Sequence, residues 1–257
     1  MRNFTKLAGL ITCFLLTTSI VAQTKINASD IMKDIKSGKD ITYKNATIVG
    51  ELDFTFMDEQ LKKLPKRKKS SWWNKNSDNK VKKQISTKIS FENCTFEDNV
   101  FAYIHDEDTG YTFVANFEDV AIFNNCVFKE MAMFKYSHFS NQADFTDSKF
   151  NGDTTFKYAD FKKDISFSNA VFREGSTFKY TIFNRKVNFS NAVFKESATF
   201  KYAKFKDGVS LNKTRFEEDL DFKYTKVNGD FDIAGMHVEY DIDSKYTNIN
   251  GKKFRYN

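Results

Sequence analysis

Residues 156–161 read FKYADF, and near-copies stand at 134 (FKYSHF), 178 (FKYTIF), 200 (FKYAKF) and 222 (FKYTKV), each 22 residues after the last. Working outward, the large apolar residues run Phe123, Phe128, Phe134, Phe139, Phe145, Phe150 and on to Val227, with spacings that alternate five and six. A helix face repeats at about 3.6 residues and an alternating strand at about 2. A step of five to six suits a very short strand followed by a turn, over and over. That periodicity is a solenoid signature and takes precedence over local propensity.

The residue two before each of these positions is small or β-branched: Ala121, Cys126, Ala132, Ser137, Ala143, Ser148, Thr154, Ala159 and so on to Ala203. Residues i and i−2 of an extended segment point to the same side. Each segment therefore sends one ring and one small side chain inward, while Lys, Asn, Asp, Glu, Ser and Tyr fill the outward positions. The composition agrees: 29 Phe supply the core, and a single Pro leaves backbone ladders uninterrupted. A buried Phe contributes roughly 2–3 kcal/mol by area, against backbone ordering of about 1–2 kcal/mol per residue.

This pattern resembles the pentapeptide-repeat family, whose repeat is a central Leu or Phe with Ala or another small residue two before it. The resemblance covers about 91–231 strongly and 41–56 weakly. It implies an all-β fold, a right-handed quadrilateral parallel β-helix with four segments per coil. The family's usual segment is five residues long. Here alternate segments are six long, which gives 22 residues per coil and matches the period of the FKY stretch. Lys135, Lys157, Lys179, Lys201 and Lys223 are then expected in one column, and Tyr136, Tyr158, Tyr180, Tyr202 and Tyr224 in the next.

The rest of the chain divides around these coils. Residues 1–22 join a basic start, Arg2 and Lys6, to the apolar run LAGLITCFLLTTSIV, and they read as a signal peptide. Thr12 before Cys13 does not suit lipid attachment, so an exported chain is expected rather than a lipoprotein. Residues 23–40 hold a short capping helix at about 28–37, with Asn27 as N-cap and Gly38 as stop. Residues 41–56 form a first coil, 57–88 a basic insertion, 89–233 the main β-helix with a loop near 104–113, and 234–257 a C-terminal cap.

Charge is concentrated. The chain carries 40 basic and 34 acidic residues; without Arg2 and Lys6 the net charge is +4. The 57–88 insertion has 11 basic and 3 acidic residues, net +8, so the remainder is net −4. Lys66, Arg67, Lys68 and Lys69 stand beside Trp72 and Trp73, a combination that suits an anionic headgroup layer. Cys94 and Cys126 occupy equivalent inward positions on adjacent coils, within reach of a disulfide by backbone distance, although parallel side-chain vectors favour a reduced pair.

No catalytic, cofactor or metal residues emerge. His105, His138 and His237 lack neighbouring ligands at metal spacing, and no phosphate loop or nucleophile elbow is present. Glu130, Glu174, Glu196 and Glu218 are a repeated surface column, not an acid–base pair. The expectation is a non-enzymatic, exported interaction module of the cell envelope. It would bind a partner protein along its faces, with a homodimer through a solenoid end as one form of assembly. The alternative is a binder of anionic membrane or acidic glycan, through the 57–88 loop or the pairs Lys135–Tyr136, Lys157–Tyr158, Lys179–Tyr180 and Lys201–Tyr202. The family's DNA-mimicking members require an acidic surface, which this chain lacks. The leader argues against nucleic acid as a partner.

Overall fold

A computed structural model describes residues 24–65 and 79–256. The short strands stack into four parallel sheets that form the walls of a square β-helix. On the first coil, face 1 is Ile41–Lys44, face 2 Ala46–Val49, face 3 Leu52–Asp53 and face 4 Lys80–Ile85. Faces 1 and 3 contain eight strands each, so the chain makes eight coils. Register is kept at one coil per step, as in Phe139↔Phe161↔Phe183↔Phe205 on face 4.

The inward assignment holds at every position from 121 to 227: each Phe and each small residue two before it is buried. Rings of one face stack in parallel on the next coil, as Phe145 on Phe167 at 5.2 Å and Phe167 on Phe189 at 4.9 Å. Rings of different faces meet edge to face, as Phe134 with Phe145 at 5.5 Å. Both arrangements suit the ring quadrupole. The interior is therefore continuous side-chain packing.

The alternation of five and six residues has a conformational cause. The five-residue steps turn the corners from face 1 to face 2 and from face 3 to face 4. Except on the second coil, where an insertion intervenes between faces 3 and 4, each of these corners places one residue in the left-handed region: Asn125 and Tyr136 on the third coil, Asp147 and Tyr158 on the fourth. The six-residue steps turn the other two corners with one extra residue, and there positive φ occurs only at glycines such as Gly208. A tight corner thus needs a left-handed residue, and a wide corner spends a residue instead.

The ends are closed by different means. Helix α1 (Ala28–Lys36) buries Ala28, Ile31 and Ile35 over the open core. It ends at Gly38, whose φ is 79°, with Lys39 N–H donating to the Asp34 carbonyl and Gly38 N–H to that of Ile35, the pairing of a glycine-terminated helix. Asn27 stands at the N-cap but makes no side-chain capping bond.

Three readings of the sequence need correction. The stretch 23–40 is not only a helix, because Thr24–Asn27 is a strand paired with Ala46–Val49. The stretch 57–88 is not all loop. Helix α2 (Met57–Leu61) opens it, and Lys80–Ile85 pairs over six residues with Thr112–Phe117. Its alternation of Lys with Val81 and Ile85 had been masked by the surrounding charge. The stretch 234–257 is not a separate cap, since His237–Val238, Ile242–Asp243 and Asn248–Ile249 complete an eighth coil. There Val238 stands in register with Phe216, and Ile249 with Val227. Lys252–Lys253 then turns back antiparallel onto Asn248–Ile249, with Phe254 and Tyr256 packed against the core. The stretch near 104–113 is a hairpin, with Tyr103–His105 antiparallel to Thr112–Phe117.

Candidate binding face at the lysine–tyrosine corner

The corner between faces 3 and 4 carries the FKY stretch. In each FKY copy the Phe carbonyl accepts from the backbone N–H three residues on, as Phe156 from Ala159 at 2.8 Å and Phe200 from Ala203 at 2.8 Å. The residue before that donor has positive φ, a turn position that normally selects Gly or Asn. Tyrosine fills it here on six successive coils, at φ 59–63° for Tyr136, Tyr158, Tyr180, Tyr202, Tyr224 and Tyr246. The conformation costs an L-residue roughly 1–2 kcal/mol. Ring contact between coils offsets it. Successive ring centroids lie 4.9, 4.7, 4.6, 4.6 and 4.8 Å apart. Stacked aromatic pairs contribute about 0.5–1.5 kcal/mol each.

The sequence suggested five tyrosines, and the structure adds one at each end. Tyr246 belongs to SKY at 244–246, where Ser replaces the Phe that drew attention to the other copies. Tyr103, on the hairpin strand, meets Tyr136 at 5.9 Å. The ring faces of the ladder are covered by one another, so ring edges and phenol hydroxyls point outward. This removes the flat ring contacts expected of the column. Burial, and then the neighbouring phenols, hold Tyr158 above its ordinary value, and Tyr202 shifts the same way for the same reasons.

The lysines flank the ladder. Lys157, Lys179 and Lys201 place their ammoniums 5.5–5.8 Å from their own tyrosine rings. Lys135 lies 4.5 Å from the Tyr103 ring and donates to its hydroxyl at 3.0 Å. None of these four has a carboxylate in ion-pair range among the described residues. Desolvation, then Lys135 and Lys179, push the Lys157 ammonium below its ordinary value. Lys223 differs, because Asp243 pairs with it at 2.6 Å.

Both insertions leave the solenoid through this same corner, on its first two coils. Lys80, in the strand near the end of the longer one, sits 4.0 Å over the Tyr136 ring, and Tyr111 of the hairpin donates to the Pro65 carbonyl at 3.5 Å. Lys66, Arg67, Lys68, Lys69, Trp72 and Trp73 lie outside the described residues, as do residues 1–22 of the leader reading. The 57–88 segment is thus attached at the head of the ladder by its described ends.

The remaining candidates are not drawn into a site. The His105 imidazole meets the Thr112 hydroxyl at 2.9 Å, and the Asp106 carboxylate accepts from Thr109 within the hairpin turn. Among the described residues, no cluster of three or more His, Cys, Asp or Glu could hold a metal ion, and no helix is long and apolar enough to cross a membrane. Cys94 and Cys126 are buried free thiols. Each points at backbone carbonyls, Cys94 at Tyr43 and Cys126 at Phe91, both at 3.5 Å. Burial drives the Cys126 thiol far above its ordinary value.

Three overlapping windows of the chain, 115–156, 134–182 and 178–226, match the family model described as pentapeptide repeats (9 copies). In the comparisons with curated proteins and with solved structures, nothing matches the chain.

Proposed function

We propose that the chain, whose residues 115–226 match the pentapeptide-repeat family model, is an exported, non-catalytic binding solenoid of the cell envelope whose lysine–tyrosine corner holds an acidic partner. The observation that carries this reading is the column Lys135, Lys157, Lys179 and Lys201, which has no carboxylate partner among the described residues. Some cations elsewhere on the surface are matched, as Lys129 with Glu97 at 2.8 Å, Lys195 with Glu217 at 2.6 Å and Lys186 with Asp230 at 3.4 Å, whereas this column repeats an unmatched ammonium at the same corner on successive coils. Like charges held opposite one another on neighbouring strands are destabilising, and an acidic partner relieves that repulsion. The ring-filled interior supports a role at the surface. The leader-like stretch 1–22 supports export.

The broader reading, a rigid face for a partner protein, uses the same surface but does not account for the unmatched lysines. The test is retention on immobilised polygalacturonate at low salt, with the triple variant Lys157→Gln, Lys179→Gln, Lys201→Gln beside the parent chain. Retention of the parent and loss in the triple supports the acidic partner. Equal retention, or none, overturns it. Export is tested by fusing the leader to a reporter enzyme active only outside the cytoplasm; an inactive fusion removes that part of the proposal.

A further inference from the structure

We propose that Lys204, Lys206 and Lys226 on face 4 form a second cationic row, and that this row and the corner lysines hold a linear polysaccharide with a carboxylate on each sugar, laid parallel to the solenoid axis. The inference rests on the acidic-partner reading and adds residues and an orientation to it.

Lys204 and Lys226 are register partners on adjacent strands, and both are exposed. Neither has a carboxylate in ion-pair range among the described residues. The Lys206 ammonium donates only to a neutral group, the Asn184 side-chain oxygen at 2.9 Å. On face 4 the register neighbours are Ile182 before Lys204 and Asn248 after Lys226, and the corner column is interrupted where Asp243 occupies Lys223 at 2.6 Å. Between the two rows runs the ladder Tyr180–Tyr202–Tyr224, its rings 4.6 Å apart.

This arrangement selects among polyanions. Nucleic-acid bases need open ring faces to stack on, and these faces are closed. What remains outward is a ladder of phenol O–H donors between two rows of ammoniums. An O–H and an ammonium on neighbouring rows match the two oxygens of one carboxylate. The rungs of the ladder, 4.6–4.9 Å apart, present one such pair per coil along the solenoid axis.

The experiment measures polygalacturonate binding at low salt by the mature chain and three triple variants. One is Lys204→Gln, Lys206→Gln, Lys226→Gln; the second is the corner triple above; the third is Lys149→Gln, Arg173→Gln, Lys195→Gln on face 2, with the same charge change. Thermal melts confirm folding. The expected result is a loss on the order of tenfold for the face 4 triple, with the face 2 triple within about twofold of the parent. A corner triple that fails to bind beside an unaffected face 4 triple overturns this inference and leaves the acidic-partner reading standing. No binding by the parent overturns both. An equal loss in the face 2 triple reduces the effect to net charge and overturns the second row. Tighter binding to anionic phospholipid vesicles than to polygalacturonate overturns the glycan in favour of a membrane.

Discussion

The two tight corners of this β-helix share a backbone and differ in how they hold it. At the corner from face 1 to face 2 the left-handed residue is Asn45, Asn93, Asn125, Asp147, Asn169 and Asn191, then Lys213 and Gly235. At the diagonal corner it is tyrosine from the third coil to the eighth. Asparagine accepts the conformation readily, and its amides also link coils, as Asn169 to Asp147 at 2.8 Å. Tyrosine has no such local advantage and depends on the ring above and the ring below. The asparagine corner is a local solution that tolerates exceptions. The tyrosine corner is collective, so it is coherent only where many copies are stacked.

The largest expected effect lies in the core that both corners share. Phe167→Ala removes a fully buried ring and should destabilise by about 3–5 kcal/mol in denaturant titration. A loss below that of any corner variant would undo the inward assignment. Next comes the ladder. Tyr180→Ala gives up two stacked contacts, at 4.7 and 4.6 Å, while keeping the left-handed strain, and should cost about 1–3 kcal/mol. Tyr180→Gly gives up the same contacts but relieves the strain, so it should recover about 1 kcal/mol of that loss. Asn169→Gly should cost only a few tenths. If Gly costs the two corners equally, the stacking account of the tyrosine corner fails.

Alkali gives a third separation. Tyr158 and Tyr202 are raised above the ordinary 10.0, so the folded chain holds these protons more tightly than the unfolded chain. Their stabilising contribution is complete below about pH 10 and is lost as pH rises through the folded values. Melting temperature should therefore fall above pH 10, and less steeply in Tyr158→Phe, Tyr202→Phe. An identical fall in the double variant would place the alkaline transition outside the ladder. The smallest effect belongs to the lysines. Lys157→Ala should change stability by under about 0.5 kcal/mol, because its part is proposed to be binding; a loss comparable with Tyr180→Ala would make the lysine a structural member of the corner.

Much of this molecule was legible in its sequence because each coil repeats the same physical problem. The Phe periodicity gave the inward faces, and the FKY period placed the corner. Legibility failed where repetition did. Lys80–Ile85 was hidden by the charge around it, although Val81 and Ile85 mark its inward side. The eighth coil was missed because Val238 and Ile249 hold places that Phe holds elsewhere. Lys204 and Lys226 looked like ordinary solvent-facing residues. Only the register, which sets them on adjacent strands, shows them to be neighbours. The left-handed role of tyrosine was not visible at all, since propensity assigns such positions to Gly and Asn.

The corners also make length a separable property of this protein. Each uninterrupted coil, from the third to the eighth, is closed by its own pair of left-handed residues and adds one rung to the tyrosine column. Removing or duplicating a 22-residue unit among the uninterrupted coils brings together neighbours of the same kind as before. The molecule behaves as a gauge with interchangeable divisions. The number of divisions sets how much of an extended partner is spanned, and the interval between them is fixed by the backbone alone.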